Sequence, residues 1–252
     1  KDDACQMLDA LNRAKAKRVW FCAPFIELRQ DTQRDGRVAI GGKNYFDVIQ
    51  ASAGGKLAGI QTFELHCDQG TAFSGVSVDN FRSINCFFYY LKHYLFKDIF
   101  DRGLEQEKLG VIGADAGSAE DNKKIATKLG VPYIQIGKQR NTHTLEGGTA
   151  EIGSVHHAQS LEGRIALSFD DIGDTFSTMC NMAKLAKSLG AEAVYGLINH
   201  LFANPKKGTT AEHKIREAGL KVLTTDTLPL TEEYLRANKD WLIAQLSITP
   251  II

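Results

Sequence analysis

Short apolar runs alternate with longer stretches of helical period along almost the whole chain, and this alternation restricts the fold more than any other feature. Strands separated by helices cannot pair as hairpins, so they predict an α/β fold with a mainly parallel sheet. Strands are expected at 19–24, 59–65, 109–113, 132–136, 164–169 and 193–198, with a last helix–strand pair running to Leu223. The first helix should carry Ala4, Met7, Leu8, Leu11 and Ala14 on one face. Others are expected at 41–52, over an aromatic-rich stretch at 81–100, from Ser118 onward, and at 178–189 with Gly190 as its stop. A polar stretch of about twenty residues after 136 has no clear period. The series breaks near residue 80, which divides the 252 residues into α/β units at 1–80 and 81–252.

Charge removes some partners. Thirty basic residues balance thirty acidic ones, so no net field favours nucleic acid or an anionic membrane, and any phosphate binding must be local. No apolar run reaches the ~20 residues of a membrane span. The five cysteines, Cys5, Cys22, Cys67, Cys86 and Cys180, are scattered without a CxxC pair, which argues against a disulfide framework or structural zinc. With no leader visible, the default expectation is a cytoplasmic enzyme. Both ends look cut: the chain enters a helix with no strand before it and stops on an apolar run.

The sharpest local signal lies at 165–178. An apolar strand runs into Asp170 and Asp171, a tight turn with Gly173 follows, and Asp174, Thr175, Ser177 and Thr178 sit where a helix should begin. Amides and hydroxyls at a helix N-terminus suit a phosphate. The carboxylates can accept hydrogen bonds from vicinal ribose hydroxyls or hold a magnesium ion. A phosphorylated ribose satisfies both halves.

This segment resembles the binding motif of the phosphoribosyltransferase fold: an apolar strand, Asp-Asp, two residues, then Asp-Thr-Gly-Gly-Thr. Phe176 and Ser177 stand where that pattern has glycines. Four further motifs follow the order of the ribose-phosphate diphosphokinase family: Phe25 with Arg29-Gln30-Asp31, Glu64-Leu65-His66-Cys67-Asp68-Gln69, Asp115-Ala116-Gly117, and Lys138-Gln139-Arg140. Each alone would pass for a strand end or a solvated turn; together they are similar to that family over essentially the whole chain.

The resemblance implies two phosphoribosyltransferase-like domains with mainly parallel sheets. Residues 1–80 would form the ATP side, incomplete at its N-terminus, and residues 81–252 the ribose 5-phosphate side. It implies that Phe25 stacks on adenine, with Arg29, Gln30 and Asp31 holding the nucleotide. His66 would lie near magnesium and the triphosphate, Asp115 would help hold the metal, and Lys138 and Arg140 would act from a mobile loop. Asp170, Asp171, Asp174, Thr175, Phe176, Ser177 and Thr178 would bind ribose 5-phosphate. Mg²⁺ is the implied cofactor, and a homo-oligomer built from dimers, up to a hexamer, is the implied assembly. The family has a further N-terminal segment and a final helix that are not in this sequence, and it has Asp where this chain has Glu64. Two other readings stay open: a catalytically silent regulatory homologue that binds synthetase subunits, and, ranked last, a phosphoribosyltransferase. His143, His156, His157 and His213 are expected at the surface, and the aromatics from Phe87 to Phe96 in a core or subunit interface.

Overall fold

A computed structural model describes residues 2–28, 39–113, 116–135, 161–206 and 208–251. The chain forms two compact units, one ending at Ser83 and the other beginning at Ile84.

The first unit is a three-stranded parallel sheet in the order β1-β2-β3, with β1 at Val19–Cys22, β2 at Leu57–Phe63 and β3 at Ser77–Phe81. Helices α1 (Asp2–Arg13) and α2 (Gly41–Ser52) flank it. Phe46 and Ile49 of α2 are fully buried against Ile60 of the central strand. The stripe expected on α1 is only partly used. Leu8 is buried with Ala4 and Cys5 packed beside it, but Met7 and Leu11 face solvent. The buried line therefore runs along i, i+1, i+4 rather than through the whole apolar set.

The second unit holds a six-stranded sheet in the order β5-β4-β6-β7-β8-β9, parallel throughout. Its strands are β4 (Leu109–Gly113), β5 (Tyr133–Gln135), β6 (Ile165–Gly173), β7 (Ala193–Leu201), β8 (Leu220–Thr225) and β9 (Leu242–Leu246). Adjacent residues supply opposite faces. Ile112, Ala166, Ile198 and Val222 join one core with α7 (Ser177–Ser188) and α8 (Ala211–Ala218); Val111, Leu167, Leu197 and Leu223 join the other with Phe87, Leu91 and α6 (Ala116–Leu129). Burial on both faces is what a parallel sheet requires.

Several elements differ from expectation. The helix foreseen over 81–100 is broken into α3 (Ile84–Tyr90), a π-turn at Leu91–Leu95 and α4 (Lys97–Asp101), followed by the short α5 (Glu105–Lys108). β3, β9 and α9 (Glu232–Ala237) were not anticipated. β6 continues through both aspartates to Gly173, because β7 pairs with it as far as Gly173 opposite Leu201. All five cysteines are free thiols. Among the described residues no helix is long and apolar enough to cross a membrane.

Phe87 is fully buried and meets Phe169 edge to face at 6.0 Å, directly beneath the strand that carries Asp170. Phe87→Ala is expected to lower stability by about 3–5 kcal/mol, read as a fall in the urea midpoint; a change below ~1 kcal/mol would mean the site collapses around the missing ring.

Candidate functional site

In an open parallel sheet, ligands bind beyond the carboxyl ends of the strands where the chain reverses its direction of travel. Here that point lies between β4 and β6: β5 adds on one side of β4 and β6 on the other. The helices that follow go to opposite faces, α6 to one core and α7 to the other. The segments leaving β4 and β6 must therefore part, opening a crevice.

A cavity of about 130 Å³ fills the β6 side of this crevice, lined by Asp170, Gly173, Asp174, Thr175, Phe176, Ser177 and Thr178, with Ile172, Met179 and Ile198. Six of the seven residues expected to hold ribose 5-phosphate thus surround one space. Asp171, the next residue on the strand, is not among those lining it, as alternation of strand side chains would have it.

Phe176 resolves the departure from the glycine pattern. Its φ is +57°, the left-handed conformation that glycine would adopt freely, and it caps α7 from there without a side-chain hydrogen bond. Burial of its ring, 4% exposed, holds it in place. The ring lies over Gly173, where a Cβ would sit 2.6 Å from Phe176 Cζ and 2.7 Å from Ile198 Cγ2. Glycine at 173 and phenylalanine at 176 are thus one packing solution. The Thr175 and Ser177 hydroxyls lie 3.3 Å apart at the helix start.

Asn122 is a residue that motif reasoning missed. β4 pairs with β6 only through Leu167, so Phe169 lacks a strand partner on that side. The buried Asn122 amide replaces it, accepting from Phe169 N at 2.8 Å and donating to Phe169 O at 2.9 Å. No sequence pattern marks it; an asparagine inside a helix ordinarily belongs to the surface.

In the first unit, Phe25 and His66 each follow a strand by three residues, Phe25 half-buried after β1 and His66 exposed after β2. The two strands are parallel neighbours, so both residues leave the same sheet edge. Glu64 turns inward and is 2% exposed. Its oxygens accept from Arg82 Nη1 (2.8 Å), Ser83 N (2.7 Å) and Ser83 Oγ (3.2 Å). Arg82 also reaches Asp68 Oδ2 at 2.6 Å, and Asn80 donates to Asp68 Oδ1 at 2.6 Å while accepting from Leu65 N at 3.1 Å. With Glu64 itself at φ +43°, the loop bearing His66 is held from both sides. The longer acid is spent on this brace rather than presented beside His66. Arg29, Gln30, Asp31, Asp115, Lys138 and Arg140 lie outside the described residues.

No family model matches the chain. It is 30% identical over 249 residues to a ribose-phosphate pyrophosphokinase of Ralstonia nicotianae, covering 98% of this chain and 71% of that protein. The chain belongs to the ribose-phosphate pyrophosphokinase family. A second member, from Neisseria meningitidis serogroup A, is 31% identical over 249 residues, 98% of this chain and 68% of its own length. The crystal structure of phosphoribosylpyrophosphate synthetase from Mycobacterium smegmatis superposes with a TM-score of 0.76 at 25% identity, covering 98% of this chain and 73% of that one. Family membership makes the chain a pyrophosphokinase-type enzyme with the phosphoribosyltransferase-like fold expected from its motifs.

Two outcomes follow from this geometry. Burial pushes the Glu64 carboxyl above its ordinary range, and Arg82 and Ser83 pull it only part of the way back. The folded state then keeps this proton to higher pH than the unfolded chain, whose carboxyl titrates near ~4.3. Its contribution is full below that value and is lost as pH rises through the folded one. Glu64→Gln should remove the effect, so the melting temperature of the variant relative to wild type should rise with pH; a difference independent of pH would refute it. For Phe176→Gly, removing the buried ring costs about 3–5 kcal/mol and relief of the left-handed backbone returns about 1–2. A net loss of roughly 1–4 kcal/mol is expected in urea unfolding, whereas a gain would show that strain outweighs packing.

Proposed function

We propose that the protein transfers diphosphate from ATP to the C1 hydroxyl of ribose 5-phosphate with Mg²⁺, giving phosphoribosyl diphosphate and AMP. The observation that carries this is the cavity at 170–178, where carboxylate, amide and hydroxyl groups surround one space at the switch point of the sheet. Asp170 faces the space from the strand end and suits ribose hydroxyls; the loop amides and the hydroxyls of Thr175, Ser177 and Thr178 suit the 5-phosphate, helped by the positive end of α7. The first unit takes ATP, with Phe25 on the adenine, Arg29, Gln30 and Asp31 along the nucleotide, and His66 toward the triphosphate.

In the reaction, the C1 oxygen of the ribose bonds to the β-phosphorus, the bond from that phosphorus to the α–β bridging oxygen breaks, and AMP leaves with the electron pair. The C1 hydroxyl gives up its proton. Little covalent work falls to the protein, and positioning with charge neutralisation dominates. Lys138 supplies a compact charge and Arg140 a fork matched to phosphate oxygens.

Magnesium fits the donors present. Among the described residues no three His, Cys, Asp or Glu side chains converge on a metal position. Mg²⁺ usually takes one or two carboxylates together with substrate phosphates and water; Asp170 and Asp171 suit that role by chemistry, and the family resemblance assigns it to Asp115 and His66. When bound, it would neutralise charge on the triphosphate. A cytoplasmic, dimer-based homo-oligomer, up to a hexamer, completes the proposal.

The test is to incubate the protein with ATP, ribose 5-phosphate and Mg²⁺ and to follow AMP and phosphoribosyl diphosphate. Both should form in equal amounts, and Lys138→Ala should slow them about 10²-fold or more. AMP no faster than in the Lys138→Ala control would overturn the reading. Ribose 5-phosphate binding without turnover would identify a silent regulatory homologue instead.

A further inference from the structure

We propose that the turn after β7, residues 202–204, positions the phosphate-binding loop, with Asn204 as its principal positioning residue. The proposal rests on placing ribose 5-phosphate at 170–178 and adds to it a residue that belongs to no motif.

The loop between β6 and α7 has its carbonyls engaged from one direction. Gly173 O accepts from Phe202 N at 2.9 Å and Ala203 N at 3.1 Å, and Asp174 O accepts from Asn204 N at 2.8 Å. Thr175 O accepts from Lys214 Nζ of α8 at 3.3 Å. These peptides are trans, so each carbonyl points opposite to the N–H of the next residue. Holding the carbonyls of 173, 174 and 175 toward the brace turns the N–H groups of 174, 175 and 176 away from it. The same three residues line the cavity. Among the described residues, the N–H groups of Thr175 and Phe176 have no protein acceptor. An anion is the ligand that a row of successive N–H groups recognises.

Asn204 makes a second contact, its Nδ2 donating to Asp174 Oδ1 at 2.8 Å. That bond holds one face of the carboxylate away from any phosphate seated on the amides. The turn is itself constrained. Ala203 has φ +54°, which a residue with a Cβ adopts only when its surroundings require it. Pro205 follows Asn204 and narrows the conformations open to it. A stiff turn is what a positioning element needs, because a compliant one would move with the loop.

The experiment compares wild type, Asn204→Ala and Asn204→Asp in calorimetric binding of ribose 5-phosphate, in the KM of each substrate, in kcat and in melting temperature. Asn204 is exposed, so the variants should fold. Asn204→Ala should weaken ribose 5-phosphate binding about tenfold, the scale of one hydrogen bond to a charged group. The KM for ATP should stay within about twofold and melting should change little, a split that a general structural role would not produce. Asn204→Asp sets two carboxylates against each other. It should therefore weaken ribose 5-phosphate binding more than Asn204→Ala does. Wild-type binding with Asn204→Ala unaffected overturns the brace alone. Equal loss of affinity for both substrates with a lowered melting temperature also overturns it. No binding of ribose 5-phosphate by wild type overturns the assignment of the cavity, and the brace with it.

Discussion

β6 and β7 are the two longest strands of the second sheet, paired from Ile165 opposite Ala193 to Gly173 opposite Leu201. Much of the candidate site depends on this pairing. β4 stops at Gly113 and contacts β6 only through Leu167, so the last turn of β6 would lose its ladder on one side. Asn122 prevents that by supplying both halves of a peptide partner to Phe169, while on the opposite side β7 pairs with β6 as far as Gly173. Buried backbone groups must find partners, and here that demand brings Asp170 to a fixed place at the mouth of the crevice.

Left-handed residues follow strand ends in each unit. Glu64 follows β2, Phe176 follows β6 and Ala203 follows β7, each a residue other than glycine with positive φ. Such conformations persist only where neighbours over-determine them. For Glu64 the neighbours are Arg82 and Ser83; for Phe176, the core above Gly173 and Ile198; for Ala203, the carbonyl of Gly173. Each time the chain turns sharply at a strand end, which lets short loops leave the sheet without drifting.

These particulars show what could be read in advance. The alternation of strands and helices and the strand running into Asp170 rest on local pattern, and local pattern survives in the fold. What escaped was set by contacts distant in sequence. β3, with its half-buried Ser-Val-Asp-Asn-Phe, lacks the apolar run that marks a strand and is fixed by pairing with β2. The helix foreseen at 81–100 is interrupted by a π-turn that no periodicity announced. Asn122 pairs across 47 residues and Asn204 across 30, and neither separation leaves a trace in a window of sequence. The conformation of Phe176 was equally hidden, since a bulky residue is the last that composition would place in the left-handed region.

The proposed binding of a sugar phosphate by a neutral chain would pose a conflict, because acids that recognise a sugar repel its phosphate. In this loop orientation would settle it. Asp170 comes from the strand and faces the cavity, while the Asp174 carboxylate is drawn toward Asn204. The peptide groups between them are turned by their carbonyl bonds so that N–H groups lie on the far side. Neutral dipoles fixed in advance can hold an anion without a cluster of lysines, and their attraction acts at short range while the net charge stays at zero. Under the proposed function, hydroxyl recognition and phosphate recognition would be separated by the direction of a few peptide bonds, and that separation would be only as firm as the turn that holds them.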